Sequence, residues 1–238
     1  MTLDLALILL IVTLAAFVRA TVGFGDALLA MSLLVFVTDL GTATPLVGLL
    51  GVSTAALMLL LSWQAVEIRS LVPLLGAVAI GTPFGVLLLK RLEGDGLITV
   101  LGVLLALFGV YRLTRPTLPG IRHPALTLTL GLLAGLFGGA YNVSGPFAVL
   151  YGGLRGWSPE TFRASLQGYF IVSSVVIAVS QGVGGLWTRE VWRLYGFALP
   201  LTLAAILLGN ALAQHVPTKG LERLITVAII VLGITLVF

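Results

Sequence analysis

Cysteine is absent from this 238-residue chain, and charged residues are scarce. Without cysteine the protein cannot form a disulfide, a thiolate nucleophile, an iron–sulfur cluster or a cysteine-ligated zinc site. Charged residues make up 9% of the chain, compared with roughly 25% of an average soluble domain. So small a fraction of charge excludes an ordinary soluble domain.

The sequence motifs of common enzyme classes are also lacking. His123 and His215 are the two histidines, and neither belongs to the HExxH pattern of a zinc protease. No GxSxG motif is present, and no lysine lies in the middle of an apolar run. The sequence therefore predicts no catalytic residue, no metal site and no cofactor, and a membrane-embedded enzyme is a disfavoured alternative.

Basic residues outnumber acidic ones, but they are dispersed along the chain. The formal net charge is +4, yet the cations occur singly or in pairs between apolar runs rather than in one basic block. This dispersion predicts no nucleic-acid partner and identifies the cations as signals of membrane topology.

Apolar residues, glycine and proline are abundant. Hydrophobic residues make up 59% of the chain, the mean hydropathy is +1.16, and there are 29 glycines and 10 prolines. Apolar helices that contain helix breakers are typical of proteins in a lipid bilayer. The first run, Leu3 to Val18, carries Asp4 and lacks both the basic start and the cleavage site of a signal peptide, which predicts a retained membrane segment.

Ten apolar runs are predicted to form helices, and six of them have the length needed to cross a hydrocarbon core of about 30 Å. The remaining four form two pairs, each a helix, a glycine-rich break and a shorter helix. The predicted helices are Leu3–Ala20, Asp26–Val37, Thr42–Trp63, Leu71–Leu89, Gly96–Leu113, Pro124–Gly138, Pro146–Leu154, Ser158–Val183, Val191–Gln214 and Thr218–Val237.

The order of these runs is repeated in the two halves of the chain. Each half has a broken pair and then three full spans, with breaks at residues 21–25 and 138–145. Residue identity between the halves is low, so the prediction of a duplication depends on the matching order. The predicted organisation is a first membrane repeat over 1–113, a cytoplasmic linker over 114–123 and a second membrane repeat over 124–238, together forming one membrane domain.

Loop cations predict how the broken pairs are inserted. If each pair forms a hairpin, eight cations lie on one face of the membrane and four on the other, which places the first face in the cytoplasm and both termini outside. The cytoplasmic set is Arg69, Arg112, Arg115, Arg122, Arg155, Arg163, Lys219 and Arg223, and the outer set is Lys90, Arg91, Arg189 and Arg193. A half with a hairpin and three spans crosses an odd number of times, so the second half must enter inverted.

The predicted fold is therefore an all-α polytopic membrane protein with two inverted-topology repeats, each a broken helix hairpin plus three transmembrane helices. Secondary transporters use this architecture, and their substrate sites lie where broken helices meet near the midplane. Free backbone groups at a break must face protein or a wet cavity, because they are costly in lipid. The alternative is that the glycines of the breaks only allow close helix packing.

The breaks contain the residues predicted to bind the substrate. Ser144 is a plausible N-cap and Pro146 suits the first helical turn, so the helix after the second break would present free amides to an anion. Asn142 offers two donors without charge. The predicted substrate-binding residues are Arg19, Thr21, Gly23, Phe24, Gly25, Tyr141, Asn142, Ser144, Gly145, Arg163 and Gln167.

Two charged residues flank the first break, and each has alternative roles. Asp26 is a candidate for proton coupling, because an ionisable group within the membrane is costly, or it caps the following helix. Arg19 pairs with the substrate, pairs with Asp26, or reaches the membrane surface. Arg163 and Gln167 share a helix face and could steer an anion inward, or Arg163 anchors the topology.

Several of these residues also carry a family resemblance. They are Gly23-Phe-Gly25 within Val22–Ala30, the run Leu136–Phe147 with its Asn-Val-Ser-Gly-Pro, and then Phe162–Ser165 and Gln167–Phe170. The chain resembles the TauE/SafE family of sulfite and organosulfonate exporters, also called TSUP, over nearly its whole length. Asp26 departs from the small apolar residue common at that position in the family.

The resemblance implies a secondary transporter in the cytoplasmic (inner) membrane that exports a small sulfur-containing anion such as sulfite, sulfoacetate or another organosulfonate. It implies no ATP hydrolysis and no cofactor. The expected partners are the small anion and the lipid bilayer, with a homo-oligomer possible. An anion channel, and less favourably an enzyme or assembly subunit, stay open as alternatives at this point.

Overall fold

The protein is an all-helical bundle in the computed structural model, which describes residues 2–61, 68–91, 95–114, 120, 123–213 and 218–238. Within these residues the chain forms ten α-helices and no strand. The helices are α1 Thr2–Val22, α2 Asp26–Leu34, α3 Leu40–Leu61, α4 Ile68–Arg91, α5 Asp95–Thr114, α6 Pro124–Tyr141, α7 Gly145–Arg155, α8 Pro159–Val183, α9 Arg189–Leu212 and α10 Thr218–Thr235.

The polytopic all-α prediction is confirmed, with helix ends shifted by a few residues. Seven of the described helices are long and apolar enough to cross a membrane: α1, α3, α4, α5, α6, α8 and α9. α2 and α7 have 9 and 11 residues, so at about 1.5 Å per residue neither reaches across the core. α10, which was predicted as a full span, is not among the seven.

Both breaks are shorter than the sequence predicted. The first consists of residues 23–25 and the second of residues 142–144. Thr21 and residues 138–141 therefore belong to helices. The main-chain hydrogen bonds of α1 and α6 continue as far as Gly23 and Asn142, where the backbone becomes left-handed. Most of the predicted linker 114–123 lies outside the described residues, apart from Thr114, Gly120 and His123.

Pairs of helices pack in a pattern that is preserved when the two halves are exchanged. α1 packs on α9 as α6 packs on α4, and α3 packs on α9 as α8 packs on α4. The two remaining extensive contacts join α3 to α8 and α5 to α10, which are each other's counterparts. This pattern is what a duplicated molecule would show, and the inverted orientation of the repeats stays a prediction.

α4 and α6 approach closely through a ladder of glycines. A methyl group added at Gly135 would lie 2.8 Å from the Thr82 nitrogen and 2.9 Å from the Gly81 Cα. Methyl groups at Gly85 and Gly139 would collide with backbone of the facing helix. Small residues at four-residue spacing allow such contact between membrane helices, and the contact holds the end of α6, just before the second break, against α4.

Candidate anion site at the two helix breaks

The first break owes its shape to two glycines with left-handed backbone. Gly23 has φ 94° and Gly25 has φ 99°, while a Cβ at either position would meet nothing within 4 Å. Glycine is needed at both for conformation rather than for packing. The packing alternative thus fails for this pair, whereas it holds for Gly138 and Gly139, which contact Ile177 and α4.

The second break is fastened to α3 by hydrogen bonds. Asn142 has φ 57° and ends α6 in a left-handed conformation that asparagine tolerates. Its Nδ2 donates to the Thr44 carbonyl, and the Thr44 hydroxyl donates to the Ala140 carbonyl at 3.1 Å. One of the two donors that were expected to bind substrate is therefore used by the protein, and the Oδ1 of Asn142 faces Gly48.

A cavity lies between the two breaks and the middle of α3 and α8. The cavity volume, counted as the space open to the centres of water molecules, is about 50 Å³. Its wall on α3 and α8 lies within about two helical turns of the middle of each helix, which is close to the midplane if these helices cross the bilayer. The lining residues are Arg19, Phe24, Gly25, Asp26, Ala27, Leu28, Val47, Gly48, Gly51, Asn142, Val143, Ser144, Gly145, Phe170, Ser173, Ser174 and Ile177.

Arg19 is the buried cation of this cavity. It is 4% exposed, and its Nη1 donates to Asp26 Oδ2 at 2.8 Å. Its guanidinium carbon lies 5.2 Å from the centroid of the Phe170 ring. Nε and Nη2 are buried and have no hydrogen-bond partner within the described part of the chain. Of the roles left open by the sequence, pairing with Asp26 is confirmed, and one edge of the guanidinium is unused.

Asp26 is the first residue of α2, directly after Gly25 at the N-cap. Because Gly25 occupies the N-cap, the N-cap role considered for Asp26 is wrong, and its carboxylate accepts a hydrogen bond from Arg19 instead. Asp26 lines the cavity and also a smaller adjoining one that contains Thr54 and Thr202. The carboxylate thus lies on the wall between two cavities.

Two residues that were predicted to bind the substrate instead use their hydroxyl groups in hydrogen bonds to main-chain carbonyls. The Thr21 hydroxyl donates to the Phe17 and Val18 carbonyls of its own helix at 3.1 Å. Tyr141 is fully buried, and its hydroxyl donates to the Leu97 carbonyl at 3.0 Å. Neither lines the cavity, because both lie inside helices whose interior packing uses their hydroxyl groups.

The other predicted residues divide between cavity and surroundings. Phe24, Gly25, Ser144 and Gly145 line the cavity, and Ser144 occupies the N-cap position of α7 without a side-chain cap bond. Gly23 does not line it. Arg163 is exposed and Gln167 half-buried on α8, and neither lines the cavity either.

Sequence reasoning missed the contribution of α3 and α8. Gly48 and Gly51 lie three residues apart on α3. Phe170, Ser173 and Ser174 follow helical spacing on α8, which places them on one face. A small or polar stripe within an apolar helix is a sequence signal that could have identified this wall.

Comparisons with known proteins identify the family. Residues 8–236 match the family model described as "Sulfite exporter TauE/SafE". The chain belongs to this family. A relative from Comamonas testosteroni described as "Probable inner membrane transporter protein TsaS" is 28% identical over 182 residues, covering 74% of this chain and 74% of the relative. No solved structure matches.

Membership of the TauE/SafE family confirms the resemblance stated above and makes the chain a membrane transporter. The family and the description of the relative point to transport rather than to catalysis. The seven apolar helices agree with a multi-pass protein of the inner membrane.

Proposed function

We propose that this protein exports a small sulfur oxyanion or organosulfonate as a secondary transporter, with the substrate bound in the cavity between the two breaks. The family description supports the class of substrate. The observation that carries the proposal is the unused Nε and Nη2 edge of the buried Arg19.

The free edge of Arg19 suits an oxyanion for reasons of geometry. The N–H groups at Nε and Nη2 are parallel, so they can donate to two oxygens of one sulfite or sulfonate group. A buried guanidinium without such a partner leaves two donors unsatisfied. An anion with two adjacent acceptor oxygens satisfies both donors at once. Its negative charge then lies beside the guanidinium, as that of Asp26 already does.

Two helix N-termini contribute positive potential to the same cavity. α2 begins at Asp26 and α7 at Gly145, and both starts line the cavity. The N-terminus of a helix carries roughly half a unit of positive charge and free amide groups, which attract anions. The cavity also fits a compact ligand, since about 50 Å³ corresponds to a few water molecules at roughly 10 to 15 Å³ each.

Alternating access would come from one half of the molecule rocking against the other around this cavity. Asp26 is proposed to carry the coupling proton. Protonation of Asp26 would remove a negative charge beside the bound anion and so strengthen its binding at the unused edge of Arg19, and ionisation would weaken it. Arg163 and Gln167 are proposed to attract the anion at the cytoplasmic mouth rather than to bind it in the cavity.

Substitution of Arg19 tests the proposal. Purified wild-type protein should bind sulfite or sulfoacetate in calorimetry and release it from loaded vesicles. Arg19→Lys keeps the positive charge beside Asp26 but lacks the two parallel N–H groups of a guanidinium. The variant should therefore bind the anion roughly ten- to a hundredfold more weakly. Arg193→Lys is the matched control, because Arg193 is half exposed and pairs with Glu190. Equal binding by Arg19→Lys and wild type, or no binding of any of these anions by wild type, would contradict the proposal.

A further inference from the structure

Two amide oxygens lie close to Gly48 of α3, beside the second break. Gln181 lies on α8 and is fully buried, and its Oε1 has no hydrogen-bond partner within the described residues. A methyl group on Gly48 would collide with this oxygen and would lie 3.2 Å from the Oδ1 of Asn142. Because Gly48 has no side chain, the Gln181 oxygen can lie against α3 and close to the Asn142 oxygen.

The orientation of both amides is determined by main-chain carbonyls. The Nδ2 of Asn142 donates to the Thr44 carbonyl, and the Nε2 of Gln181 points to the Gly139 carbonyl at 3.5 Å. Turning either amide over would place oxygen against oxygen. Both amides therefore direct their oxygens, rather than their N–H groups, towards Gly48.

Two neighbouring acceptor oxygens, of which the Gln181 oxygen is buried without a partner within the described residues, call for a donor or a cation. An acceptor buried without a partner is unfavourable, and such a group in a native protein calls for an unseen water or ion. The site lies at the C-terminal end of α6, where the helix dipole is negative. In membrane transporters, the carbonyl-rich ends of broken helices coordinate sodium.

The ligand chemistry favours a monovalent cation. The oxygens are neutral amides, and no group of three or more acidic or histidine side chains that could hold a metal occurs within the described residues. Magnesium and calcium select carboxylates. A singly charged ion tolerates neutral oxygens and needs no compensating carboxylate.

We propose that Gln181 Oε1 and Asn142 Oδ1 bind a sodium ion at the C-terminal end of α6, and that this ion strengthens binding of the anion. Asn142 lines the anion cavity, so the two ions would lie next to each other with opposite charges. Linkage then requires each to raise the affinity for the other. The coupling rests on the proposed function, whereas the cation site itself does not.

Binding of ²²Na⁺ to purified protein in choline buffer without sulfite or sulfonate tests the site directly. Wild type should bind saturably and unfold at a higher temperature in sodium than in choline. Gln181→Leu keeps the volume but removes the oxygen, so its sodium affinity should fall at least tenfold. Gly48→Ala should lose binding too, because its methyl group displaces the Gln181 oxygen. Gly76→Ala is the control, since a methyl group there meets nothing within 4 Å.

The outcomes separate this inference from the proposed function. Absence of saturable sodium binding, or a Gln181→Leu protein that binds like wild type, would overturn the cation site and leave water as the occupant. Sodium binding without any anion binding would support the cation site and contradict the transport proposal. Anion binding that is several-fold tighter in sodium than in choline, with the difference lost in Gln181→Leu, would support both.

Discussion

Arg19 and Asp26 lie on either side of the first break and meet at 2.8 Å. Two opposite charges in a low-dielectric interior attract strongly, but each has lost its hydration, so the pair gives little net stability. The pair is therefore better explained by a role in binding than by a role in stability. The spare edge of Arg19 gives a third group, the anion, a place to bind without first breaking the ion pair.

Asp26→Asn tests the coupling proposed for this residue. Asparagine can still accept a hydrogen bond from Arg19 but cannot take up a proton, so flux of sulfite or sulfoacetate should lose its dependence on a pH gradient. Flux is measured in vesicles with and without the gradient, and Glu190→Gln, half exposed on α9, serves as the control. If Asp26→Asn keeps wild-type flux driven by the gradient, Asp26 does not carry the proton.

Gly25→Ala tests whether backbone conformation explains the glycine. The new methyl group has open space, but φ is 99°, so we expect a loss of about 1 to 2 kcal/mol. Gly76→Ala also has open space and lies within α4, and it should be neutral or slightly stabilising. Unfolding temperatures in detergent compare the two. An equal effect of both substitutions would mean that the left-handed turn is not required.

At the scale of elements, helix pairs position the site. The glycine ladder brings α6 against α4, and the hydrogen bonds of Asn142 and Thr44 bring the end of α6 against α3. α7 then starts at a fixed place, with Gly145 facing the cavity. The second break is therefore positioned by contacts with two neighbouring helices, one of which is made by its own Asn142.

Gly135→Ala should separate α4 from α6. Its methyl group meets backbone atoms of Val78, Gly81 and Thr82 that cannot move independently, so overpacking should cost about 1 to 3 kcal/mol. Thermal unfolding of the purified protein measures the loss, with Gly196→Ala on α9, where a methyl group has open space, as the reference. Wild-type stability of Gly135→Ala would show that the helices do not pack this closely.

At the scale of the whole molecule, the pairing of helices is symmetric under exchange of the two halves. Such symmetry is expected when a duplicated unit inserts in opposite orientations and the two copies share a central site. The broken pairs then face one another from the two halves, which agrees with a cavity lined by residues of both breaks.

Labelling of single cysteines tests the orientation, and the chain is suited to it because it contains no cysteine. Glu160 lies in the first turn of α8, and Arg189 is the first residue of α9, beyond the other end of α8. Both residues are exposed. An impermeant maleimide should label Glu160→Cys only from the cytoplasmic side and Arg189→Cys only from the outside. The reverse pattern would place both termini in the cytoplasm, and labelling of both from one side would contradict the spans between them.

The sequence by itself determined the helices, the places of both breaks and the family, because apolar length and glycine act locally along the chain. It also identified Arg19 and Asp26 as charges that need a partner. Only the tertiary structure decided that they pair with each other, that Thr21 and Tyr141 are satisfied within the bundle, and that α3 and α8 complete the cavity. The Thr44 to Ala140 hydrogen bond joins residues 96 positions apart, and no local pattern specifies which distant helix supplies such a partner.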